Sequence, residues 1–366
     1  MIRRYMHKRE RYFALLNDNR RIMPFDWGIG HLVKNSNGGD PRRILAEFAR
    51  DTVENSEEFF ATPDDIEYSI ERRLFPASSA INPSDTKPTV RQTEVTAVTW
   101  QSVISTQSTE NNTAVATFFP LNGDKDAAVI ILPHWNARAG TYFDLCRVFN
   151  RVGISALRLT LPYHEERMPP DLERADHLVS PNIGRTLESV RQAVADTRAA
   201  VSFLKKEGYR RIGIVGTSIG SCVAFLSFVH DPRIDAAVFN HVSGYMADVV
   251  WHGLSTYHVK KGIEGHLTLD ELREYWMPVS PMAYMKKLSY LKPRPQRYIY
   301  TKYDLSFPIS LTLDTMRILR ENDIKHSSVS LPCGHYTLGE KPWVYLDGFA
   351  IVSYLRKHLK NKKARI

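Results

Sequence analysis

Arg211-Ile212-Gly213-Ile214-Val215-Gly216-Thr217-Ser218-Ile219-Gly220 is the stretch that decides how the rest of the chain is read. Arg211 to Val215 has the short apolar character of a buried strand, and it runs directly into G-T-S-I-G, after which Ile219 to Val229 has the length and composition of a helix. With glycine at ~7% of residues, a bare G-x-S-x-G arises by chance in roughly one chain in ten of this length. The strand before it and the helix after it supply the context that a nucleophile elbow requires, a sharp turn that exposes a serine hydroxyl. Gly216 and Gly220 fit such a turn because a Cβ at either would strike neighbouring backbone. The start of the helix also aims free N–H groups and a positive dipole end at any charge near Ser218. The competing reading is a glycine-rich turn with an idle serine.

Strands and helices alternate outward from this point. Upstream, Ala127 to Leu132 is a continuous apolar run, a helix from about Tyr142 ends near Gly153, and Ile154 to Leu161 reads as the next strand. Leu187, Val190, Val194, Val201 and Leu204 then mark one face of a long helix that stops at Gly208. Downstream, Ala236 to Phe239, Tyr298 to Tyr300 and Ser327 to Leu331 are strands, and Trp343 to Leu359 is a closing helix. Val90 to Trp100 and Thr113 to Phe119 suit an antiparallel hairpin ahead of the alternation. The expected fold class is α/β, a mostly parallel eight-stranded sheet between helices.

Two regions stand outside that pattern. Residues 1 to about 75 are expected to be helical, with one start at Asp40-Pro41 before Ile44, Leu45 and Phe48, and another at Thr62-Pro63 before Ile66 and Ile70. The proline-rich run 76–89 reads as a connector, which divides the chain into an N-terminal helical extension and connector, 1–88, and a catalytic-type domain, 89–366. Residues 243–295 are too long for a simple crossover and read as a helical insertion or cap, with a capping box at Thr268 and Glu271. Its aromatics, Tyr245, Trp251, Tyr257, Tyr275 and Trp276, suit either a pocket lining or the insertion's own core.

The chain of 366 residues has no apolar run of membrane-spanning length, and its N-terminal apolar run, Tyr12 to Leu16, is too short for a secretory signal. Its three cysteines, Cys146, Cys222 and Cys333, lack C-x-x-C spacing, which suits a reducing compartment; the cytoplasm is expected. The net charge of +9 gathers at the two ends, where lysine and arginine are usually solvated, so no nucleic-acid partner is expected.

A serine hydroxyl is a weak nucleophile until a base takes its proton. Of the thirteen histidines, His335 lies where a base is needed, just after the last strand in Leu331-Pro332-Cys333-Gly334-His335-Tyr336. The base needs a carboxylate to hold its tautomer, and Asp304 follows the strand Tyr298 to Tyr300; Asp314 and Asp323 read as parts of the next helix or its end. Cys333 near His335 is a weaker candidate nucleophile, lacking an elbow, while Cys146 and Cys222 read as small core residues.

With Ser218, Asp304 and His335 in that chain order, residues 95 to 360 resemble the α/β-hydrolase superfamily, nearest to its dienelactone-hydrolase-like and acyl-peptidase-like branch. The resemblance implies an oxyanion hole built from the N–H of Ile219 and one N–H of the loop Pro133-His134-Trp135-Asn136-Ala137. The branch often carries His-Gly where this chain has His134-Trp135; Trp135 is the expected donor, with Asn136 next. Candidate substrate contacts are His134, Asn136, Tyr163, His164 and Tyr336, with a loop-structural role the alternative for Tyr163 and His164.

The chain lacks the P-loop, H-E-x-x-H and dinucleotide spacings, so neither cofactor nor metal is expected. The expected function is that of a serine hydrolase acting on small carboxylic esters through an acyl-enzyme on Ser218. One alternative is a serine peptidase or amidase, although residues 1–88 are too few for the stacked propeller blades that gate many such peptidases. The other, from a different class, is a non-catalytic binding protein that keeps the fold.

Overall fold

The chain's apolar runs form the middle of a nine-stranded sheet. The computed structural model describes residues 2–16, 19–33, 38–76 and 92–360. The strands are β1 (Ser69–Pro76), β2 (Gln92–Gln101), β3 (Thr113–Phe119), β4 (Ala127–Leu132), β5 (Ser155–Leu159), β6 (Arg211–Thr217), β7 (Ile234–Asn240), β8 (Gln296–Thr301) and β9 (Ser327–Leu331). Their order across the sheet is β1-β2-β3-β5-β4-β6-β7-β8-β9. Every residue of β4 and β5 is buried, as strands covered on both faces must be. Pairing is antiparallel from β1 through β3 to β5, and parallel from β5 to β9.

The ninth strand corrects the sequence reading. Ser69–Pro76 was expected to continue a helix from Thr62-Pro63, and instead pairs with β2 along its whole length, Ser69 opposite Thr99 and Pro76 opposite Gln92. Its sequence, S-I-E-R-R-L-F-P, has no regular alternation of polar and apolar residues, and Ile70 and Leu74 stay exposed at the sheet's edge. The other expected start does begin a helix: Asp40 accepts a hydrogen bond from Arg42 N at 3.1 Å, and Pro41–Glu54 follows. Apart from Pro76, the expected connector lies outside the described residues.

Helices cover both faces of the sheet. Ile183–Lys206 and Ile219–His230 pack into the larger apolar core on one face; Phe143–Arg151 and Trp343–Leu359 close the smaller core on the other. Residues 243–295 form short helices, among them Leu269–Tyr275, whose capping box at Thr268 and Glu271 is present as expected. Among the described residues, no helix is long and apolar enough to cross a membrane.

Two buried ion pairs anchor the loop after β5. Arg158 pairs with Glu165, and Arg167 donates to Asp196 at 2.8 Å as well as to the carbonyls of Asn111 and Thr160. Buried charges need partners of this kind, since an unpaired one would carry a large desolvation cost. The loop they hold supports the site described next.

Candidate active site

Ser218 closes β6 and opens the helix Ile219–His230 with φ 59° and ψ −124°. Such a positive φ is strained for any residue with a Cβ, and surrounding structure must hold it. Here Ser218 N donates to Asn240 O at 2.9 Å, at the end of the neighbouring strand β7. The flanking glycines are sterically required. A Cβ on Gly216 would lie 2.0 Å from Gly220 O, and one on Gly220 would lie 2.4 Å from Leu132 O.

Asp304 and His335 come together on the loops after β8 and β9. His335 Nδ1 lies 3.2 Å from Asp304 Oδ2, while the other carboxylate oxygen, Oδ1, accepts from Ser306 N at 2.8 Å and Phe307 N at 2.7 Å. The Phe307 ring stacks on His335 with 5° between the planes. Burial by itself would raise the Asp304 carboxyl, but two imidazoles outweigh it and hold the group far below the usual carboxylate range. Burial opposes charge on His335, and Asp304 more than offsets this, leaving the imidazole above its ordinary value.

Ser218 and His335 line one cavity of about 1260 Å³. Among the described residues no hydrogen bond joins Ser218 Oγ to the imidazole, a contact that in ligand-free sites is often long and tightens when substrate binds. The N–H groups of Ile219 and Trp135 have no backbone or side-chain acceptor among the described residues and belong to two loops on this cavity wall. Asn136 N–H is different: it donates to His164 Nε2 at 2.8 Å.

That bond also settles much about the loop residues. His164 is buried, its Nδ1 is 2.9 Å from Pro162 O and its Nε2 accepts from Asn136, so both ring nitrogens are engaged. Burial pushes its pKa down to about 3, and it stands as a neutral prop of the Trp135–Asn136 turn while bordering the cavity, as Asn136 does. Asn136 has φ 58° and its Oδ1 accepts from Ala175 N at 2.8 Å, a second tie on the same turn. Tyr163 is a correction: its ring packs edge-on to His177, away from the cavity lining, and its N–H donates to Asn111. His134 and Tyr336 do line the cavity; burial lowers the His134 pKa to about 4, and its Nδ1 is 3.0 Å from Tyr142 Oη.

Cys222 packs against the larger core and also borders the cavity, with its thiol 3.3 Å from Val279 O. Cys146 and Cys333 are buried, and burial raises both thiols. Of the insertion's aromatics, Tyr245 reaches the cavity, whereas Tyr275 and Trp276 belong to the core.

His241 was missed by the sequence reading. It follows β7 directly, with φ 59°, and its Nδ1 lies 2.8 Å from Asp304 Oδ2, off the line for a good hydrogen bond. Its ring centroid is 4.4 Å from that of His335, so Asp304 faces two imidazoles. The signal available was positional: in a parallel sheet, residues just past the carboxyl ends of the strands face the site. Burial, and then the neighbouring His335, lower the His241 pKa against the opposing pull of Asp304. Donor atoms of His241, Asp304 and His335 lie within 4.8 Å of one another, the one such group among the described residues that could ligate a metal ion; Asp304 itself is not on the cavity wall.

Comparison with solved structures identifies the scaffold. The acetyl xylan esterase from Paenibacillus sp. R4 superposes with TM-score 0.58 and 11% identity, covering 87% of this chain and 96% of that one. The acylaminoacyl peptidase of Pyrococcus horikoshii superposes with TM-score 0.53 and 13% identity over 81% of this chain. The chain has the α/β-hydrolase fold. It spans 43% of the length of that peptidase. No family model and no curated protein sequence matches it.

One further acid borders the cavity. Asp347 is half-buried, Asn240 Nδ2 donates to both its oxygens at 3.0 Å, and burial nonetheless pushes its pKa from 3.8 up to about 7. An acid raised in the fold lends most stability below its unfolded pKa and loses it as pH climbs through the folded one. The whole shift is worth ~4 kcal/mol, and its partial exposure reduces this to on the order of 2 kcal/mol. Asp347→Asn is therefore expected to raise the melting temperature more at about pH 8 than at about pH 5. An equal change at both would contradict this account of Asp347.

Proposed function

We propose that the protein is a serine esterase in which Ser218 is the nucleophile, His335 its base and Asp304 the carboxylate that orients His335. The observation that carries the proposal is the shared cavity. A strained, barely exposed Ser218 borders the same space as an imidazole already held by a carboxylate, beside two N–H groups without acceptors.

On this reading, His335 Nε2 takes the Ser218 proton as Oγ attacks the ester carbonyl. Asp304 stabilises the imidazolium, and the N–H groups of Ile219 and Trp135 receive the negative oxygen of the tetrahedral intermediate. Collapse breaks the C–O bond to the alcohol, which leaves with the proton from His335. Water then enters, loses a proton to the same nitrogen and attacks the acyl-enzyme. Breakdown of the second intermediate releases the acid and returns the proton to Ser218.

Esters are favoured over peptides because the solved esterase aligns over nearly its whole length, whereas less than half of the peptidase is matched. A small-molecule ester as partner and a cytoplasmic setting belong to the same reading; the three unpaired cysteines support the latter.

A fluorophosphonate probe is expected to label the wild type and not Ser218→Ala, and short-chain p-nitrophenyl esters are expected to turn over. A wild type inert to both reagents would remove the esterase reading and leave the binding-protein alternative.

A further inference from the structure

The helix Ile2–Leu15 carries a carboxylate into the protein. Met6, Glu10 and Ala14 are spaced four apart, so they share one face, and all three are buried. Glu10 is 0% exposed, although an acid in that position would ordinarily face water. No cation pairs with it among the described residues; it accepts from two backbone N–H groups, Thr337 at 2.9 Å through Oε1 and Tyr336 at 3.1 Å through Oε2. These are the residues directly after His335.

The loop is built around this contact. Gly334 N donates to Thr337 Oγ1 at 2.7 Å, which ties the loop back while the amides of Tyr336 and Thr337 point at Glu10. A Cβ on Gly334 would lie 2.3 Å from Glu10 Cδ and 2.5 Å from Oε1, so glycine is what lets the carboxylate approach. The rest of the helix grips the same segment, with Arg9 paired to Glu340, while past its end Arg20 donates to Tyr336 Oη at 3.2 Å. Phe13, Ala14 and Leu16 also wall the cavity.

We propose that Glu10 is a positioning residue for His335: by clamping the amides of Tyr336 and Thr337 it holds the imidazole against Asp304, and its charge favours the protonated ring. The proposal rests on the esterase reading for its kinetic consequence, not for the contact itself. Glu10 adds to the pull of Asp304 that raises His335; burial leaves Glu10 itself above its ordinary value, the two amide bonds offsetting part of that rise. The other titratable or charged groups around these two are Asp304 and His241 at the strand ends, His134 across the cavity, Cys333 below, and Tyr336 with Arg20.

The test uses the full chain with histidine Cε1 labelled, and compares wild type, Glu10→Gln, Glu10→Ala and Gly334→Ala. Glu10→Gln removes the charge and keeps an acceptor for only one of the two amides, and the His335 titration, followed by NMR, is expected to move to lower pH. The acid limb of kcat/KM should move with it, and the loss of plateau kcat should be smaller than in Glu10→Ala, since one of the two amides keeps its acceptor. Glu10→Ala and Gly334→Ala should each lower kcat on the order of tenfold or more with KM little changed, because a ring displaced by about 1 Å serves the reaction poorly. Combining them should add little to either single variant, since both break one clamp.

An unmoved His335 titration in Glu10→Gln, or additive losses in the double variant, would overturn the proposal. These outcomes are separable from failure of the esterase reading. That failure appears as a wild type unreactive toward fluorophosphonate, and the NMR titration still reports on Glu10.

Discussion

Ser218→Ala and His335→Ala are each expected to lower kcat on the order of a millionfold, with the fold intact. The two losses should match, because a serine without its base and a base without its serine are equally unable to make the acyl bond. Removing both should cost little more than removing one. What remains is the smaller rate from substrate binding and from the N–H groups of Ile219 and Trp135, which neither substitution touches. Alanine at 218 also relieves none of the backbone strain, since it keeps a Cβ at φ 59°. Melting temperatures close to wild type are expected in both variants, and turnover of a p-nitrophenyl ester measures the effect. A His335→Ala enzyme within tenfold of wild type would show that another group takes the proton, and His241, 4.4 Å away between ring centroids, would be the first to examine.

Asp304→Asn is the second large effect, expected on the order of ten-thousandfold in kcat. An amide in place of the carboxylate can donate to His335 Nδ1, which puts the imidazole proton on Nε2, the nitrogen that must accept from Ser218. The substitution also withdraws the negative charge that raises His335, so the acid limb of the pH–rate profile should fall to lower pH. Oδ1 of the native carboxylate caps Ser306 N and Phe307 N, and asparagine retains an acceptor for only part of that set. Some loss of stability should accompany the loss of rate. His241, which also faces Asp304, is then left beside a neutral group. If Asp304→Asn turned over at the wild-type rate, the orienting acid would lie elsewhere.

Much of this was legible from residue order. The run from Arg211 to Gly220 carries its own geometry, because a buried strand followed by two glycines around a serine leaves few ways to turn. Asp304 and His335 could be singled out because each follows a strand, and the carboxyl ends of parallel strands converge on one edge of the sheet. His241 obeys the same rule at the end of β7 and was overlooked because the elbow needs only one base. Ser69–Pro76 was misread because this edge strand lacks a regular polar–apolar alternation to set against a Thr-Pro helix start, and its partner β2 lies across the connector.

The fold class, the elbow and the choice of Ser218, Asp304 and His335 as candidates were set by local sequence, since strand burial, turn sterics and hydroxyl chemistry depend on neighbours in the chain. Tertiary structure alone decided which face of the Trp135–Asn136 turn keeps a free amide, why His164 serves as its prop, and how Glu10 reaches the loop of His335 from more than three hundred residues away. Such contacts depend on where separate elements come to rest, and a hydrogen bond leaves no periodic trace in the order of the residues it joins.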